Sequence, residues 1–187
     1  MAAARQRFFD EGFDAVSMEA IAATAGISKG TLYARYCSKE ELLSAVLDAT
    51  IQDWSSVSAR NDHLLTEDIG DRLRHHARTI ASSLTAPEVI AVRGLLFSNR
   101  ERFPAAVRMM HDRGYRYIVE LIAREIDEAG QRDARPPEDA IGVAMRLVNA
   151  ILGWHSSEGG VRDISPAELQ AYADRTVALL VAARSAW

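Results

Sequence analysis

Hydrophobic and polar positions along this chain recur with the period of a helix, and strand-like alternation over several residues is absent. Met18, Ile21, Ala22 and Ala25 follow i, i+3, i+4, i+7. They predict a helix over 18–25 that Ser17 can cap and Gly26 can end. A helix over 2–11, ended by Gly12, precedes it. Ser28 can cap a third, short helix over 29–36. Ser38-Lys39-Glu40-Glu41 has the form of a capping box and opens a long fourth helix through about Trp54. The stretch SSVSARNDHLLTED then reads as a connection. Further helices are expected over about 67–84, 87–99, 104–129, 137–156 and 166–186, with prolines at their starts or stops. The fold class is all-α, with about nine helices and no internal repeat.

Two of these helices are too apolar for a simple surface position. On the eighth, Ile141, Met145, Val148 and Leu152 make one stripe, and Ala140, Ala144, Leu147, Ile151 and Trp154 a second. The last helix has Leu169, Tyr172, Ala173, Thr176, Val177, Leu180 and Val181 over a broad arc. A helix apolar on two faces needs two partners. One is its own core, and the other is expected to be a second copy of the chain. Leu147, Ile151, Trp154, Tyr172, Thr176 and Leu180 are the residues expected at that homodimer contact. The alternative is that both helices are wrapped within one subunit.

Composition narrows the class only slightly. In 187 residues, apolar types make up 48% and charged types 26%, as in ordinary soluble globular proteins. No apolar run approaches the ~20 residues of a membrane helix, and the start lacks a basic-then-apolar signal pattern. The single cysteine, Cys37, has no internal disulfide partner. A cytoplasmic protein, not acting on membranes, is expected. The net charge of -4 argues mildly against nucleic acid, but a groove senses the local field. Residues 20–39 carry no acid, and Lys29, Arg35 and Lys39 fall there; Lys29 and Lys39 are the chain's only lysines.

Within that acid-free stretch, GISKGTLYARY admits two chemistries. G-x-S-x-G is the pattern of a hydrolase nucleophile elbow, with Ser28 as nucleophile. An elbow needs a strand before it, whereas SMEAIAATA is alanine-rich with helical spacing. No HGGG-type oxyanion segment is present and no Asp/His pair stands out, so no enzyme activity is expected. The same residues form a helix-turn-helix: two short helices meeting across Ala25-Gly26-Ile27, with Ile27 closing the core between them and Ser28 as a cap. On the second helix Leu32 faces inward. The opposite side carries Gly30, Thr31 and Ala34, with Tyr33 and Arg35 at its margins. Small residues let a helix approach the floor of a major groove. Thr31 can reach phosphate or a thymine methyl, Arg35 guanine or phosphate, and Tyr33 phosphate. Lys29 and Lys39 suit phosphate contacts.

The stretch FFDEGFDAVSMEAIAATAGISKGTLYARYCSKEELLSAVL resembles the N-terminal domain of the TetR/AcrR family of bacterial transcriptional regulators, in residue type and in spacing. The resemblance implies a three-helix DNA-binding domain over 1–45 and a larger helical ligand-binding and dimerisation domain over 46–187. It implies a dimer formed by the last two helices, a near-palindromic operator in double-stranded DNA, and release from DNA by a small molecule, most simply as a repressor. Carried over by position, DNA contacts fall at Ser17, Lys29, Gly30, Thr31, Tyr33, Ala34, Arg35 and Lys39. The basic arm that members often carry ahead of the first helix is absent or trimmed in this sequence, and minor-groove contacts are not carried over with the rest. Tyr36 stands where phenylalanine is common. LLFSNRERFPAAVRMMHDRGYRYIVELIAREIDEAG resembles the ligand domain of an AcrR-like branch. A constitutive DNA-binding dimer without a ligand is the other regulator that fits.

A pocket for a small, largely apolar ligand is expected among the fourth to eighth helices. Its candidate lining is Trp54, Arg93, Phe97, Met109, Met110, Tyr117 and Trp154, since methionine and aromatics suit an adaptable cavity. Each also reads as plain core. Arg93 is the most informative, because on an apolar helix it either pairs with an acid or meets an anionic ligand. His75, His76, His111 and His155 do not cluster at ligand spacing, so neither a metal nor another cofactor is expected. Cys37 reads as a core thiol or, beside the recognition segment, as an oxidation switch.

Overall fold

The structure is a computed structural model that describes residues 1–60 and 66–187; side chains of 54–60, Trp54 among them, lie outside that description. Among the described residues there are ten α-helical segments and no strand. They are α1 (Ala2–Glu11), α2 (Met18–Ala25), α3 (Lys29–Arg35), α4 (Lys39–Arg60), α5 (Ile69–Leu84), α6 (Pro87–Ser98), α7 (Pro104–Met110), α8 (Tyr117–Arg132), α9 (Ala140–Gly159) and α10 (Pro166–Ala182). A π-helical segment, His111–Arg116, joins α7 to α8 without a break, so residues 104–132 form the single long helix expected there. Counted that way, the helices among the described residues number nine.

Local chemistry accounts for most helix ends. The Oγ of Ser17 accepts the N–H of Ala20 at 3.1 Å, and Ser165 caps α10 through Glu168 N–H at 3.2 Å. Gly26 adopts φ 66°, ψ 29°, the left-handed conformation that glycine enters without steric cost. The capping box at α4 is displaced by one residue on its return side. Ser38 accepts from Glu41 N–H at 3.1 Å, but the Glu41 carboxylate takes the N–H of Cys37 at 2.7 Å.

The chain divides into two compact units, one of residues 1–59 and 87–114, the other of 60–86 and 115–187. This grouping by packing differs from a cut at residue 45. In the first unit, Val92, Leu95 and Leu96 of α6 and Phe103 and Ala106 at α7 complete the core built by α1 to α4. Phe13 lies at its centre, stacked on Phe8 at 5.9 Å and meeting Phe103 edge-on at 5.0 Å. The second unit is a bundle of α5, α8, α9 and α10, whose interior includes Leu73, Ile122, Ile126, Leu169 and Val177.

Burial corrects four expectations. Leu147 and Ile151, expected at a contact between copies, are 1% and 0% exposed within the single chain. The second unit's interior takes Val143, Leu147, Val148 and Ile151 together, a wider arc than either stripe, and leaves Ile141 and Met145 outside. Ile27 does not close the helix-turn-helix core; it is 41% exposed, and Met18, Ile21 and Leu32 fill that space. Cys37 is not a core thiol. It follows the end of α3 and is exposed.

A buried polar cluster is embedded in the second unit. Glu125 of α8 is 3% exposed and accepts from Arg72 at 2.7 Å and from His76 at 3.0 Å, both on α5. Burial pushes its carboxyl up, but the hydrogen bonds from His76 and then Arg72 outweigh that and hold it at about 2.

Candidate nucleic-acid interface

The surface of interest starts at the turn between α2 and α3. Gly26 reverses the chain, and its N–H and that of Ile27 bond back to the α2 carbonyls of Ala23 and Ala22. Ser28 then opens α3: its Oγ accepts the N–H of Thr31 at 3.0 Å. Leu32 is 6% exposed and anchors α3 to the core. That orientation turns Lys29, Gly30, Thr31, Tyr33, Ala34 and Arg35 outward, all exposed. Ser17, at the start of α2, is exposed as well. The outer face of α3 is therefore small at Gly30 and Ala34, hydroxylated at Thr31 and Tyr33, and cationic at both ends.

The cations are held differently. The Arg35 guanidinium meets no acid among the described residues and lies 5.7 Å from the centre of the Tyr36 ring. Lys29 pairs with Glu19 of α2, which raises the ammonium's pKa and lowers the carboxyl's, and it sits 5.5 Å from the Tyr33 ring centre. Both partners are exposed, so water and salt weaken the pair. Lys39 is turned inward, towards the loop between α1 and α2. Its ammonium donates to the carbonyls of Phe13 and Val16, each at 2.8 Å, approaches that of Asp14 at 3.5 Å, and lies 4.4 Å from the Phe13 ring centre. Three carbonyls match its three donors, so the lysine expected on phosphate is occupied in bracing the loop between α1 and α2. The sequence did not signal this, because the partners lie 23 to 26 residues upstream.

The residues expected to line a pocket fall in both units. Arg93 and Phe97 are on α6 and Met109 and Met110 on α7, in the first unit, where both methionines pack against the core. Tyr117 on α8 and Trp154 on α9 belong to the second. Trp154 stacks on Tyr172 of α10, 4.5 Å between ring centres and 11° between planes. An open, polar depression of about 590 Å³ runs along α5 and is lined by Asp71, Arg74, His75, Arg78, Thr79, Ser82 and Ser83, none of them expected from the sequence. No single helix among the described residues is long and apolar enough to cross a membrane.

Comparison with known proteins places this surface. Residues 1–46 match the bacterial regulatory proteins of the tetR family, and residues 71–184 match the C-terminal domain of AefR-like transcriptional repressors. The HTH-type transcriptional regulator UidR of Escherichia coli K12 is 30% identical over 149 residues, 78% of this chain and 72% of its own length. The DNA-binding transcriptional repressor TetR of Mycobacteroides abscessus is 45% identical over 49 residues, 26% of each chain. A TetR-family transcriptional regulator from Mesorhizobium loti superposes with a TM-score of 0.83 at 26% identity, covering 97% of this chain and 93% of that one. Ser28 follows a helix rather than a strand and is engaged as a cap, so the elbow pattern in its neighbourhood has no catalytic setting. With family matches over residues 1–46 and 71–184 and a regulator 30% identical over 149 residues, the chain belongs to the TetR family of bacterial transcriptional regulators and is not an enzyme.

Proposed function

We propose that this chain is a ligand-responsive repressor that binds a near-palindromic operator as a homodimer. The observation that carries the reading is the outward face of α3: Gly30, Thr31, Ala34 and Arg35 exposed on one side, with Leu32 buried on the other. Such a helix enters a major groove with its backbone close to the base edges, Arg35 reading guanine and Thr31 reaching phosphate or a thymine methyl. Lys29, Tyr33 and Ser17 supply phosphate contacts; Lys39 is left out of that set because its donors are occupied.

Two copies of α3 on one face of DNA require half-sites about 34–36 Å apart, or a multiple of that. The outer sides of α9 and α10 support a dimer: Ile141 and Met145 are 46% and 39% exposed, Leu179 is 73% exposed, and Trp154, Tyr172, Thr176 and Leu180 are half-buried. Repression is supported by the AefR-like repressor match. A ligand that binds one of two dimer states more tightly would draw the population away from the spacing that fits DNA.

The test is selection of binding fragments from genomic DNA by the purified chain, followed by fluorescence anisotropy at several salt concentrations. The expected outcome is enrichment of sites with two-fold symmetry, with affinity that falls as salt rises. No enriched sequence would end the reading. Affinity that no small molecule changes would leave a constitutive repressor.

A further inference from the structure

Among the described residues, helix α6 carries a cation with no anion beside it. Its inner face, Val92, Leu95 and Leu96, is buried in the first unit's core. At about 100° per residue the opposite face carries Ile90, Gly94 and Phe97, with Arg93 at its margin. Ile90 is 53% exposed and Phe97 60%. They mark an apolar stripe roughly 10 Å long at 1.5 Å per residue. Between them a Cβ on Gly94 would meet nothing within 4 Å, so the middle of the stripe is open helix backbone.

Arg93 is half-buried, and among the described residues no carboxylate pairs with it or hydrogen-bonds to it. Its guanidinium lies 5.8 Å from the centre of the Phe97 ring. Burial lowers its pKa with nothing acting against it, yet guanidinium remains charged at any physiological pH. Elsewhere the chain neutralises arginines in similar settings: Arg5 holds Glu88 at 2.5 Å and Asp53 at 3.2 Å, and Arg72 holds Glu125 at 2.7 Å. A partly desolvated, unpaired guanidinium beside exposed apolar side chains complements a ligand with an anionic head and an apolar body. The planar fork of arginine matches a carboxylate in particular.

We infer that the effector of this regulator is an amphipathic organic carboxylate, its head paired with Arg93 and its body laid along Ile90, Gly94 and Phe97. The inference rests on the ligand-responsive reading above. An inorganic anion would leave the stripe uncovered, and a neutral hydrocarbon would leave the guanidinium unpaired.

Calorimetric titration of the full chain with 2-naphthoate, with its uncharged isostere 2-naphthamide and with inorganic phosphate tests it. Naphthoate is expected to bind at least ten-fold more tightly than the amide, and phosphate not to saturate in the same range. Arg93→Gln should abolish the preference while leaving the amide's affinity unchanged, and Arg93→Lys should keep part of it. Phe97→Ala should weaken acid and amide alike. The inference is overturned if naphthoate does not bind, if acid and amide bind equally, or if Arg93→Gln binds naphthoate as the parent does. It is also overturned if either substitution changes the oligomeric state, which would assign the stripe to a second copy of the chain.

Operator anisotropy in the same titrations separates the two readings. Naphthoate bound through Arg93 without any change in DNA affinity would overturn the assignment of this carboxylate site to the effector while leaving the ligand-responsive reading standing. Release of DNA by a neutral compound, equally in the parent and Arg93→Gln, would retain that reading and remove the carboxylate site.

Discussion

The Oγ of Ser28 accepts the N–H of Thr31 at 3.0 Å and lies 2.8 Å from the Thr31 hydroxyl. A seven-residue helix has few internal hydrogen bonds, so this cap is a large part of what holds the recognition helix. Ser28→Ala is expected to cost about 0.5–2 kcal/mol in urea unfolding and to weaken operator binding. Ser28→Asp should recover the stability, since aspartate also caps, but not the DNA affinity, since it sets a negative charge against phosphate. Parent-like stability in Ser28→Ala would remove the cap from the account.

Gly30 tests the approach to the groove. A Cβ there would meet only the Ser28 Oγ, at an ordinary 3.8 Å, so the fold itself does not require glycine. Gly30→Ala should stabilise α3, by no more than the roughly 0.5–1 kcal/mol of a helix interior, since Gly30 lies in the first turn. Its added methyl should reduce operator affinity nonetheless. Stability and affinity moving in the same direction would mean that the α3 backbone does not come close to the bases.

The two lysines should behave oppositely in salt. Lys29→Ala removes an exposed cation beside the recognition helix and should lower the slope of log affinity against log salt by about 0.9 for each phosphate that Lys29 neutralises. Lys39→Met should leave that slope unchanged and instead lower the unfolding midpoint, because it strips donors from the carbonyls of Phe13 and Val16. A reduced slope in Lys39→Met would return that lysine to the DNA.

Lys39 also marks the limit of what the sequence reveals. The caps at Ser17, Ser28 and Ser38 and the turn at Gly26 are legible because cause and effect lie within four residues of each other. The same holds for the outward set on α3, fixed once Leu32 is inward. Lys39, Leu147, Ile151 and Ile27 depend on which distant side chains fill the space around them, and one helix's periodicity does not contain that. The joining of α6 and α7 to the first unit's core involves Val92, Leu95, Leu96 and Ala106 together with Phe103, which meets Phe13 edge to face across ninety residues of sequence. His76 is visible in the sequence only as half of a His75-His76 pair, and nothing local points to Glu125.

Acid should act on the second unit through Glu125. Its folded pKa of about 2 lies below the ordinary 4.5. The depressed value means that its contribution is fully present above about 4.5 and is lost as the pH falls towards about 2. Full loss corresponds to roughly 3 kcal/mol. Glu125→Gln should therefore be less stable than the parent at pH 7, with the difference narrowing as urea unfolding is repeated at pH 5, 4 and 3. A difference independent of pH would mean that the ionised carboxylate is not the stabilising form.

Three polar side chains at the contact between α5 and α8 stand where leucines would pack, and such replacements often raise stability. What the triad does supply is registration. Sliding either helix by one turn, about 5.4 Å, would carry Glu125 away from Arg72 and His76 and leave a buried carboxylate without donors. Apolar side chains, being non-directional, would resist such a slip far less. The triad thereby works like a key with a single notch, favouring one alignment of α5 against α8 over its neighbours one turn away.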